Sequence, residues 1–373
     1  MLFRSTEEAT DPHGWTPKLR IATVDWFCRW FQGRPGPAAE PEFEPAAPET
    51  LYATSTGSIR YSQRGDTIFS LIHRKQEQLP RRKPPASRAE FDAFQKEMRD
   101  EVRGMLRLGQ PGGPLDVRRL VTTPRKRYSV EKLEFLSEPG VCVPAWVFVP
   151  ENLSGRNPAT LFVHESGKQA EGLEFGRLER MAREGRLVIA VDVRGVGETA
   201  PPHPPSLTEP REFRHLFDVE TALSYMTWYM NESLFGMRVA DVMRSVDYAL
   251  SRPDVDPSRL EAVGRGAGAL WVLYAAALDP RIRSVTCENG LLSYRALCQA
   301  DRYLHGAGVF IRDVLKHFDL PHVAAMLAGR SLTLASPVDA MKRTVEKRRA
   351  AAEYGWTAAA YRAAGAPDAF RIA

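Results

Sequence analysis

Apolar residues fall into short runs separated by longer stretches of helical period. Continuous apolar runs predict strands at 159–164, 187–193, 260–263, 284–288 and 331–335, with a last one beginning at 369–372. Between and around them, helical patterns cover 173–183, 220–250 (with a break expected near Gly236), 267–278 and 342–364. Before this alternation, Tyr128–Leu136 and Val141–Val149 alternate in polarity around the turn Ser137-Glu138-Pro139-Gly140, the pattern of a β-hairpin. Helices are also predicted over 66–79 and 87–106, the latter with Ser87 as its cap. Residues 16–32 form a further amphipathic helix, with Pro17 at its first position, Gly33 as its stop and Trp26, Phe27, Trp30 and Phe31 on one face. The Pro/Ala/Glu stretch 34–50 after it reads as a linker, since it carries too few apolar residues for a core. Strands alternating with helices predict an α/β fold: a mostly parallel sheet with helices on both faces, preceded by a helical and β-hairpin extension. Functional loops in such sheets lie beyond the carboxyl ends of the strands.

Composition narrows the classes. The 373 residues are 43% hydrophobic, enough for a substantial core. No apolar run approaches the roughly 18 residues needed to span a bilayer. The start M-L-F-R-S-T-E-E-A-T lacks the apolar core of a signal peptide. The expected location is therefore cytoplasmic, or secreted or periplasmic if a further segment precedes this one. The net charge is +5, with basic runs at Arg81-Arg82-Lys83 and Arg125-Lys126-Arg127. They come without stacking aromatics or a recognition motif, so they read as solvated loop charge and no nucleic-acid partner is expected. Cys28, Cys142, Cys287 and Cys298 are far apart with no C-x-x-C spacing. They read as free thiols, with no metal site or disulfide framework. No cofactor is expected.

The most informative stretch is L-E-A-V-G-R-G-A-G, residues 260–268: an apolar strand, a glycine-spaced turn, then a helix. This is the outline of the G-x-S-x-G nucleophile elbow, in which the central residue sits on a strained strand-to-helix turn with its side chain exposed. Here Gly266 occupies the nucleophile position. The alternative is a dinucleotide or phosphate loop. Against it, Leu270 and Trp271 stand where a third glycine is needed, no Lys-Ser/Thr pair follows, and Rossmann loops usually follow the first strand. Asp339, just past the strand S-L-T-L-A-S, stands where an orienting acid is wanted; it fits equally well as the cap of the helix that follows, and Glu288 is a second acid candidate. No histidine follows Asp339. His164-Glu165-Ser166-Gly167 follows a strong strand, where a loop offers backbone N–H groups to developing negative charge. Ser166 in that turn reads first as a hydrogen-bonding loop residue and second as a replacement nucleophile.

Residues 115–373 resemble the acetyl xylan esterase-like branch of the α/β-hydrolases. The likeness rests on S-E-P-G-V-C-V-P-A-W-V-F-V-P (137–150), L-F-V-H-E-S-G-K (161–168) and V-D-V-R-G-V-G-E-T (191–199). It continues through V-G-R-G-A-G-A-L (263–270), A-A-L-D-P-R-I (276–282), E-N-G-L-L-S-Y (288–294) and S-P-V-D-A-M (336–341). The resemblance implies an α/β-hydrolase fold and a Ser-Asp-His triad that removes acyl groups from carbohydrate or other small-molecule esters without a cofactor. The acid then falls on Asp339, the nucleophile on Gly266, and the oxyanion loop on His164, Ser166 and Gly167. The triad histidine falls beyond residue 373.

The segment Asp11-Pro12-His13-Gly14-Trp15, followed by the aromatic helix, resembles the histidine loop and closing helix of such a fold. The expected organisation is thus 1–33 as the closing helix of a preceding hydrolase-like domain, 34–50 as linker, 51–114 as helical extension, and 115–373 as a hydrolase domain lacking its C-terminal end. Either the chain is a piece of a tandem protein, or the N-terminal segment returns so that His13 approaches Asp339. The functional expectation is an esterase by descent with a degraded triad and weak or no catalysis. A non-catalytic carbohydrate-binding or interaction domain is the alternative, and an esterase using Ser166 or Cys287 a third reading. The sequence does not set the oligomeric state.

Overall fold

The structure, a computed structural model, describes residues 7–8, 10, 14–42, 44–62, 65–109, 112–201 and 219–373. They form two units, split between Thr67 and Ile68. In the first, α1 (Pro17–Gln32) ends at Gly33 in the left-handed conformation, and a short α2 spans Ile59–Ser62. Arg20 grips Glu40 through Nε (2.5 Å) and Nη2 (2.8 Å), and Asp25 accepts the N–H of Gly36 at 2.8 Å. The start of the Pro-rich stretch therefore lies back along α1. The aromatic residues of α1 pack on one another, Trp26 on Phe27 at 5.2 Å and Phe27 on Phe31 at 5.7 Å.

The second unit is built on a nine-stranded sheet ordered β1-β2-β3-β5-β4-β6-β7-β8-β9. In chain order the strands are β1 (Arg118–Arg125), β2 (Tyr128–Glu138), β3 (Val141–Pro150), β4 (Asn157–His164), β5 (Leu187–Val191), β6 (Val255–Arg265), β7 (Ser284–Glu288), β8 (Ser331–Ala335) and β9 (Phe370–Ile372). The first three run antiparallel to their neighbours; β4 through β9 are parallel. This is the mostly parallel α/β sheet the alternation predicts. The strand β1 was not expected, because arginines, threonines and a proline surround its apolar pair Leu120-Val121 and nearly all of it is exposed. It is an outer strand carrying Pro124, and charge and proline are what an edge tolerates.

The helices are α3 (Ile68–Glu77), α4 (Arg88–Met105), α5 (Arg177–Arg183), α6 (Val219–Tyr229), α7 (Leu234–Ser251), α8 (Ala267–Leu278), α9 (Tyr294–Cys298), α10 (Leu320–Ala325), α11 (Lys347–Glu353) and α12 (Gly355–Ala363). Alternate residues of the central strands enter two cores. Leu161, Val163, Leu187 and Ile189 join the larger one with α4, α7, α8 and α10; Phe162, Val188 and Ala190 join the smaller one with α5. Ser87 caps α4, its hydroxyl accepting the N–H of Glu90.

Three helical stretches differ from expectation, the first being 173–183, which is helical only from Arg177. The break in 220–250 falls at 230–233, where Ser233 caps α7, and Gly236 lies inside the helix. A Cβ there would collide with the carbonyl of Leu106, so this glycine allows close packing. The helix expected from 342 begins only at Lys347, because Asp339 closes its own loop first: its Oδ1 accepts the N–H groups of Met341 (2.8 Å) and Arg343 (3.0 Å).

Candidate functional site

The elbow is formed in full. At the end of β6 the chain turns through Gly266, with φ 63° and ψ −128°, directly into α8. A side chain rarely adopts this conformation unless its surroundings impose it. The flanking glycines let the turn close. A Cβ on Gly264 would collide with the Gly268 carbonyl, and one on Gly268 with that of Val163. The Gly266 N–H donates to the Glu288 carbonyl at 2.9 Å, which carries the β6–β7 register past the strand end.

The space above Gly266 belongs to Glu165. A Cβ on Gly266 would fall 2.6 Å from Glu165 Oε2 and 2.7 Å from its Cγ, far inside contact distance. The carboxylate is held from two sides. Oε2 accepts the N–H of Ala267 at 3.1 Å, and Lys342 Nζ lies 3.1 Å and 3.2 Å from the two oxygens. Ala267 follows Gly266, and in a nucleophile elbow the N–H after the central residue is the one offered to an oxyanion. Helix α8 begins there, so its positive N-terminal end also favours the carboxylate.

The loop after β4, with His164, Ser166 and Gly167, lies beside the elbow, since His164 pairs with Arg265 across the sheet. Its N–H groups all have acceptors. Glu165 donates to the Arg265 carbonyl (3.1 Å) and Ser166 to His164 Nδ1 (2.9 Å). Gly167 donates to the His164 carbonyl (3.1 Å) and Lys168 to Asp192 Oδ1 (2.6 Å). Beneath the loop, the fully buried Lys168 ammonium lies 2.6 Å from Asp192 and 2.6 Å from Glu198, over the Trp146 ring. His164 is half-buried, and burial holds its pKa below the ordinary value despite nearby Glu165. Because Nδ1 accepts the Ser166 N–H, the neutral ring carries its proton on Nε2.

Further along the strand ends, Arg177 holds Glu288 through two bonds of 2.5 Å and 2.6 Å, and Arg265 pairs with Glu171. Glu288, the second acid candidate, is thereby committed to Arg177; hydrogen bonding to this carboxylate raises the Arg177 pKa. Asp339 lies beyond β8 on the same side, half-buried, its Oδ1 turned to its own loop as described above. An imidazole does approach Asp339, but from an unexpected place. His305 Nε2 lies 2.9 Å from the Asp339 backbone oxygen, donating to the carbonyl rather than to the carboxylate. Burial lowers its pKa, and Lys342 adds to the effect. His13 lies outside the described residues. Cys287 is buried under α8, its thiol 3.4 Å from the Ala269 carbonyl, and burial pushes its pKa up to about 12. Ser166 is exposed on its loop, and among the described residues no side chain hydrogen-bonds its hydroxyl.

Glu165, Lys342 and His305 are the site residues that sequence reading missed. Glu165 lies inside a motif read for its neighbours, and Lys342 stands 177 positions away with no spacing to link the two. His305 precedes Asp339 in the chain, whereas the motif's order puts the histidine after the acid. Among the described residues, no group of three or more His, Cys, Asp or Glu side chains is placed to hold a metal ion, and no helix is long and apolar enough to cross a membrane.

A family model described as acetyl xylan esterase (AXE1) matches residues 86–305, more than half of the chain. The chain belongs to the acetyl xylan esterase family. The match spans the oxyanion-type loop and the elbow and ends at His305. Among curated proteins, "Putative hydrolase YtaP" of Bacillus subtilis (strain 168) is 24% identical over 282 residues, covering 69% of this chain and 85% of that protein. Solved structures share the fold. One from Bacteroides fragilis NCTC 9343, named as a putative acetyl xylan esterase, superposes with a TM-score of 0.67 at 19% identity, over 84% of this chain and 83% of that one. The acetyl xylan esterase from Paenibacillus sp. R4 gives 0.50 at 20% identity, covering 80% and 90%. Family and fold thus agree with the α/β-hydrolase reading of the sequence.

Proposed function

We propose that this member of the acetyl xylan esterase family is a carbohydrate-ester hydrolase by descent whose serine route is closed, leaving ester hydrolysis weak or absent. One observation carries the reading: at a fully formed elbow the nucleophile position is glycine, and the Glu165 carboxylate fills the vacated space while taking the Ala267 N–H. A covalent serine mechanism needs a hydroxyl, an imidazole to remove its proton, and free donors for the oxyanion. Gly266 offers no hydroxyl. The imidazole beside Asp339, His305, bonds the backbone rather than the acid, and the nearby N–H groups have acceptors. The alternative nucleophiles add little: Cys287 is buried with a raised pKa, and Ser166 has no base bonded to it among the described residues.

Hydrolysis of p-nitrophenyl acetate and of acetylated xylan, measured for the wild type, Gly266→Ser and Asp339→Asn, tests the reading. The expected wild-type rate stays within about tenfold of a protein-free blank, far below the roughly 10⁶-fold or more of a working enzyme. Substantial wild-type turnover that Asp339→Asn abolishes would overturn it. Glycan binding without turnover is the outcome that favours the second reading, a carbohydrate-binding domain on a hydrolase fold.

A further inference from the structure

Away from the elbow, a cleft of about 350 Å³ lies between the end of α4, the α6–α7 connection and the residues after α9. It shares no residue with the Gly266 site. Helix α7 leads from this cleft into β6, whose far end is the elbow, so the cleft opens on the side of the sheet where the strands' carboxyl ends lie. A Trp228 wall meets Arg107, Asn231, Glu232, Arg312 and Asp313.

Three features of the cleft converge. Arg107, Asn231 and Asp313 all have positive φ, at 54°, 58° and 61°. Arg107 and Asn231 are held this way just past the ends of α4 and α6, as helix stops that bring both residues to the cleft wall. The second feature is mixed charge: Arg107, Arg312 and His317 line the cleft together with Glu232 and Asp313, the last paired with Lys316 Nζ at 2.6 Å, so no patch of one sign is set aside for a phosphate or a free acid. The third is the pairing of surfaces. The indole of Trp228, half-buried and steadied by Tyr225 at 5.4 Å, offers an apolar plate. Opposite in kind, the Asn, Asp, Glu and Arg side chains supply donors and acceptors together, and Asn231 is tied at its oxygen by Arg107 Nη2 at 3.1 Å. A ligand with one C–H face and a rim of hydroxyls meets both demands.

We infer that this cleft binds a neutral pyranose unit of a glycan chain, with Trp228 beneath the ring and the polar side chains on its hydroxyls. The site would hold a polysaccharide on the protein independently of ester chemistry at the elbow. The choice of glycan rests on the carbohydrate-ester reading above; the cleft's chemistry does not.

The test is calorimetric titration of the full chain with xylohexaose and with cellohexaose, beside Trp228→Ala, Trp228→Phe, Asn231→Gly and Gly266→Ser. Asn231→Gly keeps the backbone conformation while removing the amide. Expected are binding by the wild type, at least tenfold weaker binding by Trp228→Ala, three- to tenfold weaker binding by Asn231→Gly, and near-wild-type binding by Trp228→Phe and Gly266→Ser. If Trp228→Ala fails to fold, as judged by its melting temperature, Asn231→Gly decides. No binding of either glycan by the wild type overturns the proposal, as does binding unchanged in Trp228→Ala and Asn231→Gly, or adenosine bound as tightly as the glycans. Loss of glycan binding in Gly266→Ser alone, with its cooperative melting transition retained, places the sugar at the elbow and also overturns it. Ester turnover by the wild type bears on the closed serine route and leaves the cleft untouched.

Discussion

If Glu165 occupies the room that Gly266 leaves, the two residues must be energetically coupled, and a double-mutant cycle reads that coupling directly. Gly266→Ala adds only a Cβ. At φ 63° and ψ −128° its backbone strain costs about 1–3 kcal/mol. The new atom also cannot coexist with Glu165, whose Oε2 and Cγ lie 2.6 Å and 2.7 Å from it. Evicting that side chain sacrifices the charge-assisted bond to the Ala267 N–H, about 1.5–3 kcal/mol. It also loosens the Lys342 pair, which at 38% and 31% side-chain exposure is worth about 0.2–1 kcal/mol. In the wild-type background Gly266→Ala should therefore cost about 3–7 kcal/mol. In the Glu165→Ala background only the strain remains, about 1–3 kcal/mol. The expected interaction energy is about 2–4 kcal/mol, with the double variant more stable than the single effects predict. Urea unfolding followed by far-ultraviolet circular dichroism gives all four stabilities, with constant slope as the check on two-state behaviour. Additivity within about 0.5 kcal/mol would refute the claim that Glu165 holds the vacated position.

Other consequences are simpler to check. Lys168→Met should cost about 3–5 kcal/mol in urea unfolding, since it strands the fully buried Asp192 carboxylate without its ammonium partner. With 5,5′-dithiobis(2-nitrobenzoic acid) under native conditions, exposed Cys142 should react and Cys287, buried with its pKa near 12, should not; peptide mapping of the labelled thiols decides. His322 is held near pKa 4, first by burial and then by Arg82, and its Nδ1 accepts the Asp319 N–H. A histidine with a lowered folded pKa makes the unfolded state bind more protons between about pH 4 and 6.5, so this contribution to stability is lost as pH falls through that window. Burial raises Asp319 to about 6, which acts in the opposite sense: its contribution is present at low pH and lost as pH rises from about 4 to 6. His322→Gln should thus leave a stability that declines from pH 4 to 6, whereas the wild type is flatter; equal slopes in the two proteins would contradict the assignment.

Much of the architecture was readable because it is local. Apolar runs named β4 through β8, alternation named the β2–β3 hairpin, and the glycine spacing at 264–268 named a strained turn that the structure contains. The strand β1 escaped because an edge strand needs no apolar pattern, and its charges are what protects it. The late start of the helix after Asp339 escaped because an aspartate fits a helix cap and a loop closure alike, and the choice depended on where Met341 and Arg343 turned their N–H groups. His305 escaped through reliance on chain order, whereas an imidazole needs only proximity.

By itself the sequence determined that a glycine-spaced strand-to-helix turn forms and that its central residue, Gly266, has no side chain. Close backbone approach at Gly264 and Gly268 admits no side chain, and glycine at 266 has none to offer. What fills the space above that glycine was decided only by the tertiary structure. An absent side chain specifies no successor; the occupant is whichever group neighbouring elements bring within reach. Here the loop after β4 supplies the Glu165 carboxylate, while the loop after β8, 177 residues further on, supplies the Lys342 ammonium that holds it there.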